Sequence, residues 1–138
     1  MTDIRYLAPH TLDEAISAYA DAAGAARILA GGTDLLVQMR SGMVSPGLIL
    51  DIKKISELTE ITEISDGGFR IGAAVSGAVL AEHPRFGEVW PGVLEALNLI
   101  GSTQVQGRAS AGGNLCNGSP AGDSVPAMIA AGATVTVQ

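Results

Sequence analysis

The fold is decided by one stretch of ten residues, Arg27-Ile28-Leu29-Ala30-Gly31-Gly32-Thr33-Asp34-Leu35-Leu36. Its first four residues, up to Ala30, predict a short buried strand, and the two glycines predict a sharp turn. Thr33 or Asp34 can then serve as the N-cap of a helix that continues to about Ser41. The stretch therefore predicts a strand–turn–helix unit, the repeating element of α/β architecture.

The same alternation extends to both sides of this unit. A capping box formed by Thr11 and Glu14 begins a helix whose apolar residues recur at helical spacing until Gly24. Short strands are predicted before that helix and at residues 48–52, after a Ser-Pro-Gly turn. The first block, residues 1–55, is therefore expected to be a layer of alternating strands and helices.

Residues 56–138 show a different pattern, in which a predicted hairpin is followed by helices. Two short β-prone runs separated by a Ser-Asp-Gly-Gly turn predict the hairpin. N-cap residues and apolar residues at helical spacing predict helices that begin after Ser76, near Val93 and after Asp123. A last strand is predicted at residues 134–137.

These patterns predict an α+β protein whose first half is α/β-like. We expect two subdomains, one formed by residues 1–55 (strand–helix–strand) and the other by residues 56–138. A strand at the very end of the chain, with no turn after it, favours a truncated second subdomain and a fragment of a longer protein. An edge strand at a natural terminus is the alternative interpretation.

Composition excludes several classes of function. The chain has 138 residues, 47% of them apolar, so it can bury a substantial core and is not a disordered tail. Its net charge is −6 and it has no cluster of Lys and Arg, which argues against a nucleic-acid partner. No apolar run is long enough to span a membrane, no secretory signal is visible, and a cytoplasmic location is expected. A single cysteine excludes a cysteine-rich metal site, and no arrangement of catalytic side chains is evident.

Two glycine-rich stretches are the candidate binding elements. The first glycine segment comprises residues 29–36 and the second comprises residues 110–123. Backbone N–H groups ahead of a helix attract phosphate, and glycine lets a ligand approach closely. Neither segment has the P-loop or the dinucleotide-binding pattern. From the residues alone the first is better explained as a tight turn, with a phosphate site as the alternative. The second is a long loop that is costly to order, which favours a ligand.

Together the two segments resemble those of the FAD-binding, or medium, subunit of the molybdenum hydroxylases, the family of xanthine dehydrogenase and aerobic carbon monoxide dehydrogenase. The resemblance includes Tyr6-Leu7-Ala8-Pro9 and Leu50-Asp51-Ile52 and extends along the whole chain. It implies the vanillyl-alcohol-oxidase-like superfold, with FAD lying between two subdomains. Two departures are Gln106-Gly107, where many members have Arg-Asn, and Ser110-Ala111, where many have Thr-Ile.

The resemblance also implies which residues hold the cofactor. The first segment would contact the pyrophosphate through backbone N–H groups, and the second would supply further contacts, with Ser110 near the flavin and Asp123 on a ribose or ribityl hydroxyl. The implied cofactor-binding residues are Leu29, Ala30, Gly31, Gly32, Thr33, Asp34, Leu35, Ser110, Ala111, Gly113, Asn114, Cys116 and Asp123. The carboxylate of Asp34 is compatible with a diphosphate if it caps the following helix. The chemistry of Cys116 alone favours a small buried packing residue.

In function, the resemblance implies a subunit that takes electrons from two [2Fe–2S] clusters of a small subunit and passes them through FAD to NAD, a quinone or oxygen. Substrate would be oxidised at a molybdenum cofactor in a large subunit, and the complex is expected to be a dimer of heterotrimers. A stand-alone flavin oxidoreductase and a non-catalytic assembly module are the alternatives.

Overall fold

The first half of the protein is a small parallel sheet with two helices, as described by a computed structural model of residues 3–138. Its elements are β1 (Arg5–Leu7), α1 (Leu12–Asp21), β2 (Ala26–Leu29), α2 (Leu35–Arg40) and β3 (Leu48–Asp51). The strands are parallel in the order β1-β3-β2, with Leu48 beside Arg5 on one side and Ala26 on the other. The predicted strand–turn–helix unit is confirmed as β2, the glycine turn and α2. Parallel strands place their carboxyl ends at one edge of the sheet, where the first glycine segment lies.

Local hydrogen bonds explain where α1 begins and ends. The backbone N–H of Glu14 donates to the Thr11 hydroxyl (3.2 Å), while the Glu14 carboxylate accepts from the backbone N–H of His10 (2.9 Å). The chain leaves the helix through Gly24, whose φ of 88° suits glycine. The predicted apolar face is only partly buried, and Tyr19 is 47% exposed, because the sheet that α1 covers is just three strands wide.

The second half contains an antiparallel hairpin followed by six short helices. The hairpin pairs β4 (Ile61–Glu63) with β5 (Phe69–Ile71), as predicted. The helices are α3 (Gly77–Glu82), α4 (Phe86–Val89), α5 (Pro91–Leu97), α6 (Thr103–Gln106), α7 (Ala111–Asn117) and α8 (Ser124–Ala130). The sequence did not predict α4, which begins beside His83; the Nδ1 atom of this residue accepts the backbone N–H groups of Arg85 and Phe86.

Two apolar clusters form the core. One surrounds Leu50 and Ile55, and the other surrounds Leu80, Phe86 and Leu97. The first cluster also contains Ala74, so side chains from both predicted subdomains pack together within it. The division at residue 55 stays a prediction. Across the described residues, no helix is long and apolar enough to cross a bilayer.

The strand predicted at residues 134–137 is wrong. Residues 133–138 adopt no regular structure and pair with no strand in the described part of the chain. Val135 and Val137 are 62% and 85% exposed. Alternating β-branched residues favour a strand, but a strand also needs a neighbour to accept its backbone hydrogen bonds.

Candidate functional site

The two glycine segments pack directly against each other. A Cβ atom on Gly31 would overlap the carbonyl oxygen of Arg108, just ahead of the second segment. A Cβ atom on Gly113 would lie 3.9 Å from the Cβ of Ala30. The side chain of Gln38, on α2, donates to that of Asn117 on α7 (3.0 Å). The residues that the sequence assigns to one cofactor site are therefore neighbours in space, although some 80 positions separate them.

The first glycine segment presents a row of free backbone donors. Within residues 3–138, the N–H groups of residues 31–35 donate to no protein acceptor. The next residue, Leu36, donates to the carbonyl of Gly32, so helical bonding starts only after this row. Gly32 has a φ of 78°, which is left-handed and suits glycine. Successive free N–H groups in a turn at the carboxyl edge of a parallel sheet can bind an anion.

A polar network lies behind this row and joins all three strands. The Lys53 ammonium donates to the Ala30 carbonyl (2.9 Å) and to one carboxylate oxygen of Asp51 (2.7 Å). The same oxygen accepts the backbone N–H of Lys53 (3.0 Å), and the other accepts the Tyr6 hydroxyl (2.6 Å). Asp51 is buried, at 7% exposure, so the bonds satisfy a charge that water hardly reaches.

The network changes the acidity of two of its members. Burial works to raise the pKa of Asp51, but the hydrogen bonds from Lys53 and Tyr6 outweigh it, and the pKa of Asp51 is lowered. The hydrogen bond to Asp51 raises the pKa of Tyr6. Tyr6, Asp51 and Lys53 were not assigned to the site from the sequence. The available signal was a carboxylate ending a strand that is otherwise apolar, with a lysine two residues later.

The first half of the second glycine segment is the helix α7, which corrects the predicted long loop. Ser110 is its N-cap, and its hydroxyl accepts the backbone N–H of Gly113 (3.0 Å). The helix ends at Gly118, which has a left-handed φ of 64°. Gly112 lets α7 lie against the backbone of Ala73, whose Cα would be 2.7 Å from an added Cβ. A capping serine and close packing outweigh the low helix propensity of glycine here.

The cap of α8 also differs from the prediction. Asn114, on α7, accepts both the backbone N–H (3.3 Å) and the hydroxyl (2.7 Å) of Ser124, which is fully buried. Asp123 occupies the N-cap position, but its side chain forms no capping bond in the described structure. The same is true of Asp34 at the start of α2 among the residues described, so neither predicted carboxylate cap is formed.

The remaining predicted site residues are distributed as follows. Leu29 and Ala30 end the strand side of the turn and are half-buried, and Leu35 is buried at the start of α2. Thr33 is half-buried, and Ala111 lies in the first turn of α7. Cys116 is exposed, so its expected role in core packing is wrong. It lies in the last turn of α7, a helix in which no residue is fully buried.

A family model described as the FAD binding domain in molybdopterin dehydrogenase matches residues 2–138. The chain belongs to this family. The assignment made from the two glycine segments is therefore confirmed, as is the mixed helix-and-sheet fold. FAD is accordingly the cofactor of this domain.

Individual members of the family show how far the similarity extends. The chain is 35% identical to the nicotinate dehydrogenase FAD-subunit of Eubacterium barkeri, covering 100% of this chain and 47% of that protein. It is 38% identical to a putative xanthine dehydrogenase FAD-binding subunit of Escherichia coli, covering 86% and 41%. A solved structure of carbon monoxide dehydrogenase from Hydrogenophaga pseudoflava superposes with a TM-score of 0.79 at 33% identity, covering 85% and 40%. The chain thus spans less than half the length of each of these proteins.

Proposed function

We propose that this domain serves a molybdenum-containing hydroxylase as its flavin site, and that the first glycine segment holds the diphosphate of FAD. The observation that carries the proposal is the row of free N–H groups at residues 31–35. A diphosphate offers several acceptor oxygens and negative charge, which such a row complements. The residues present therefore fit the cofactor that the family binds.

The second glycine segment would complete the contacts from one side. It adjoins the first segment at Gly113, where an added Cβ would lie 3.9 Å from the Cβ of Ala30. Its contribution differs from the one that the resemblance implies, since the hydroxyl of Ser110 is buried and already accepts the backbone N–H of Gly113. We assign to cofactor binding Leu29, Ala30, Gly31, Gly32, Thr33, Asp34, Leu35, Ser110, Ala111, Gly113, Asn114, Cys116 and Asp123. For Asp123 the free carboxylate supports this role, because no capping bond occupies it in the described structure.

The proposed activity belongs to a complex rather than to this chain alone. The bound flavin supplies the chemistry that joins one-electron carriers to a two-electron acceptor. We propose a small subunit with [2Fe–2S] clusters as donor, NAD, a quinone or oxygen as acceptor, and a large subunit with the molybdenum cofactor as the place of substrate oxidation. A dimer of heterotrimers remains the expected assembly. This chain's residues contribute by binding and orienting the cofactor.

Nucleotide titration tests the cofactor assignment. We expect the purified chain, which spans less than half of its relatives, to bind FAD only weakly, with ADP competing and riboflavin competing poorly, because the free N–H groups address the diphosphate. Binding is measured by quenching of flavin fluorescence. Competition by riboflavin as strong as that by ADP, or no binding of either nucleotide, would contradict the proposal.

Metal analysis tests the complex. We expect the protein purified from its source to carry FAD together with molybdenum and iron in co-purifying subunits. A stand-alone flavin oxidoreductase would carry FAD without either metal, and an assembly module would carry none of the three. Absorption spectroscopy and elemental analysis of the same sample separate these outcomes.

A further inference from the structure

The Nζ atom of Lys53 forms hydrogen bonds both to the sheet and to the first glycine segment. Its ammonium lies 2.9 Å from the Ala30 carbonyl oxygen and 2.7 Å from Asp51, with the side chain about one-third exposed. Asp51 is itself held at both oxygens, by Tyr6 and by the Lys53 backbone. The ammonium is therefore fixed in place by a buried partner and is not a mobile surface charge.

The bond to Ala30 determines the direction of the first free donor in the row. The Ala30–Gly31 peptide is planar and trans, so its carbonyl and its N–H point in opposite directions. Holding the carbonyl oxygen on Lys53 aims the Gly31 N–H away from the lysine. Gly31 also packs against the Arg108 carbonyl, which a Cβ on Gly31 would overlap, so the segment has little room to shift at this residue.

We propose that Lys53 is a positioning residue for the flavin diphosphate: its ammonium, anchored by Asp51, orients the Ala30–Gly31 peptide and with it the row of N–H groups at residues 31–35. This inference rests on the proposed function. Lys53 acts through geometry, since Asp51 balances its charge. Its effect on cofactor binding should therefore depend little on ionic strength.

The test compares two neighbouring lysines. Lys53→Met keeps the length of the stem and removes the donor, and we expect it to weaken binding of FAD and of ADP about tenfold, equally at low and high salt. Lys54→Met makes the same charge change at an exposed side chain that forms no hydrogen bond in residues 3–138, and we expect less than a twofold effect. Lys53→Arg restores a donor and is expected to recover most of the affinity.

Two further measurements separate positioning from stability. The Gly31 amide resonance of the ligand-free chain should shift in Lys53→Met and move back in Lys53→Arg, and the thermal midpoint should be recorded for each variant. If Lys53→Met does not fold, Lys53→Gln, with a shorter donor, should show an intermediate loss of affinity. If the wild type binds FAD and Lys53→Met binds it with the same affinity, this inference alone is overturned. The same holds if Lys54→Met loses as much affinity as Lys53→Met. Absence of nucleotide binding by the wild type overturns the proposed function and this inference together.

Discussion

The two glycine segments begin with nearly the same letters but fold in different ways. Ala30-Gly31-Gly32-Thr33 forms a turn with free N–H groups, whereas Ala111-Gly112-Gly113-Asn114 forms the first turn of α7. The difference lies in the preceding cap. Ser110 accepts the N–H of Gly113 and starts a helix at once, while the first segment has no such side chain among its described neighbours and its helix starts later. The same Gly-Gly pair thus leaves its N–H groups free in the first segment, whereas the capping serine before it accepts the N–H of Gly113 in the second.

The glycines also have a common role in packing, which the sequence did not predict. Gly31 and Gly112 each lie against the backbone of another segment, Arg108 in one case and Ala73 in the other. In both, the absent Cβ makes room for protein and not for a cofactor. These contacts hold the two segments against the rest of the domain.

The largest expected effect is therefore at the contact between the first segment and Arg108. Gly31→Ala would place a methyl group on the Arg108 carbonyl, and the atoms it meets are backbone atoms, which cannot turn aside as a flexible side chain can. We expect a loss of stability of about 3 kcal/mol or more, measured by chemical denaturation. Gly92→Ala, in α5, is the control, because an added Cβ there meets nothing within 4 Å; a gain of up to about 1 kcal/mol is expected. Similar stabilities for both variants would show that the segments do not depend on this contact.

The second-largest effect is expected at the contact between Asn114, in the second segment, and the start of α8. Asn114→Ala removes the only acceptor recorded for the buried hydroxyl and backbone N–H of Ser124 in the described structure, and we expect a loss of about 2 to 3 kcal/mol. Asn114→Asp keeps an acceptor and should recover part of it. Asp123→Ala should change stability by less than about 0.5 kcal/mol. If Asp123→Ala were the more damaging of the two, the carboxylate would be the true cap of α8.

Local patterns were sufficient to predict much of the fold. Thr11, Ser76 and the Gly24 stop each act within one turn of helix, and the hairpin at residues 61–71 follows from its turn residues. The strand predicted at residues 134–137 failed because it depends on a partner strand. The helix in the second segment was not predicted for a related reason, because it depends on the packing of Gly112 on Ala73, which is a long-range contact.

The location of the candidate site could be predicted from the sequence, but the hydrogen bonds that support it could not. The resemblance identified the segment that carries the free N–H groups, because those donors belong to the backbone and follow from the turn. The oxygen of Asn114, which the resemblance assigns to the cofactor, also holds the start of α8, and no local pattern predicted that bond. Asp51 and Lys53 offered only a local signal, a carboxylate at the end of an apolar strand and a lysine two residues later, because their role arises only when three parallel strands end side by side.

The third prediction concerns the different sensitivity of the two segments to low pH. The first is held by an ionised pair and the second by neutral bonds, so low pH should loosen residues 30–35 before residues 110–124. The folded pKa of Asp51 is lowered, so its contribution is present above about pH 4 and is lost as the pH falls through the folded value. The slope is at most about 1.4 kcal/mol per pH unit over that interval. Denaturation between pH 6 and about pH 2 measures it. Asp51→Asn should remove this slope; its persistence would assign the acid sensitivity to other carboxylates.

The smallest expected effect concerns Asp34, the carboxylate of the first segment. Its backbone is helical (φ −97°, ψ −49°) and its side chain makes no capping bond within the described residues, whereas Thr11 is extended (φ −131°, ψ 157°) and caps α1. Thr11→Ala should therefore cost about 1 kcal/mol and Asp34→Ala less than about 0.5 kcal/mol. Because Asp34 adds negative charge beside the free N–H groups, Asp34→Ala should bind FAD at least as tightly as the wild type. Weaker binding with unchanged stability would show that the carboxylate itself contacts the cofactor, which would make the side chain, and not only the backbone, part of what the first segment contributes.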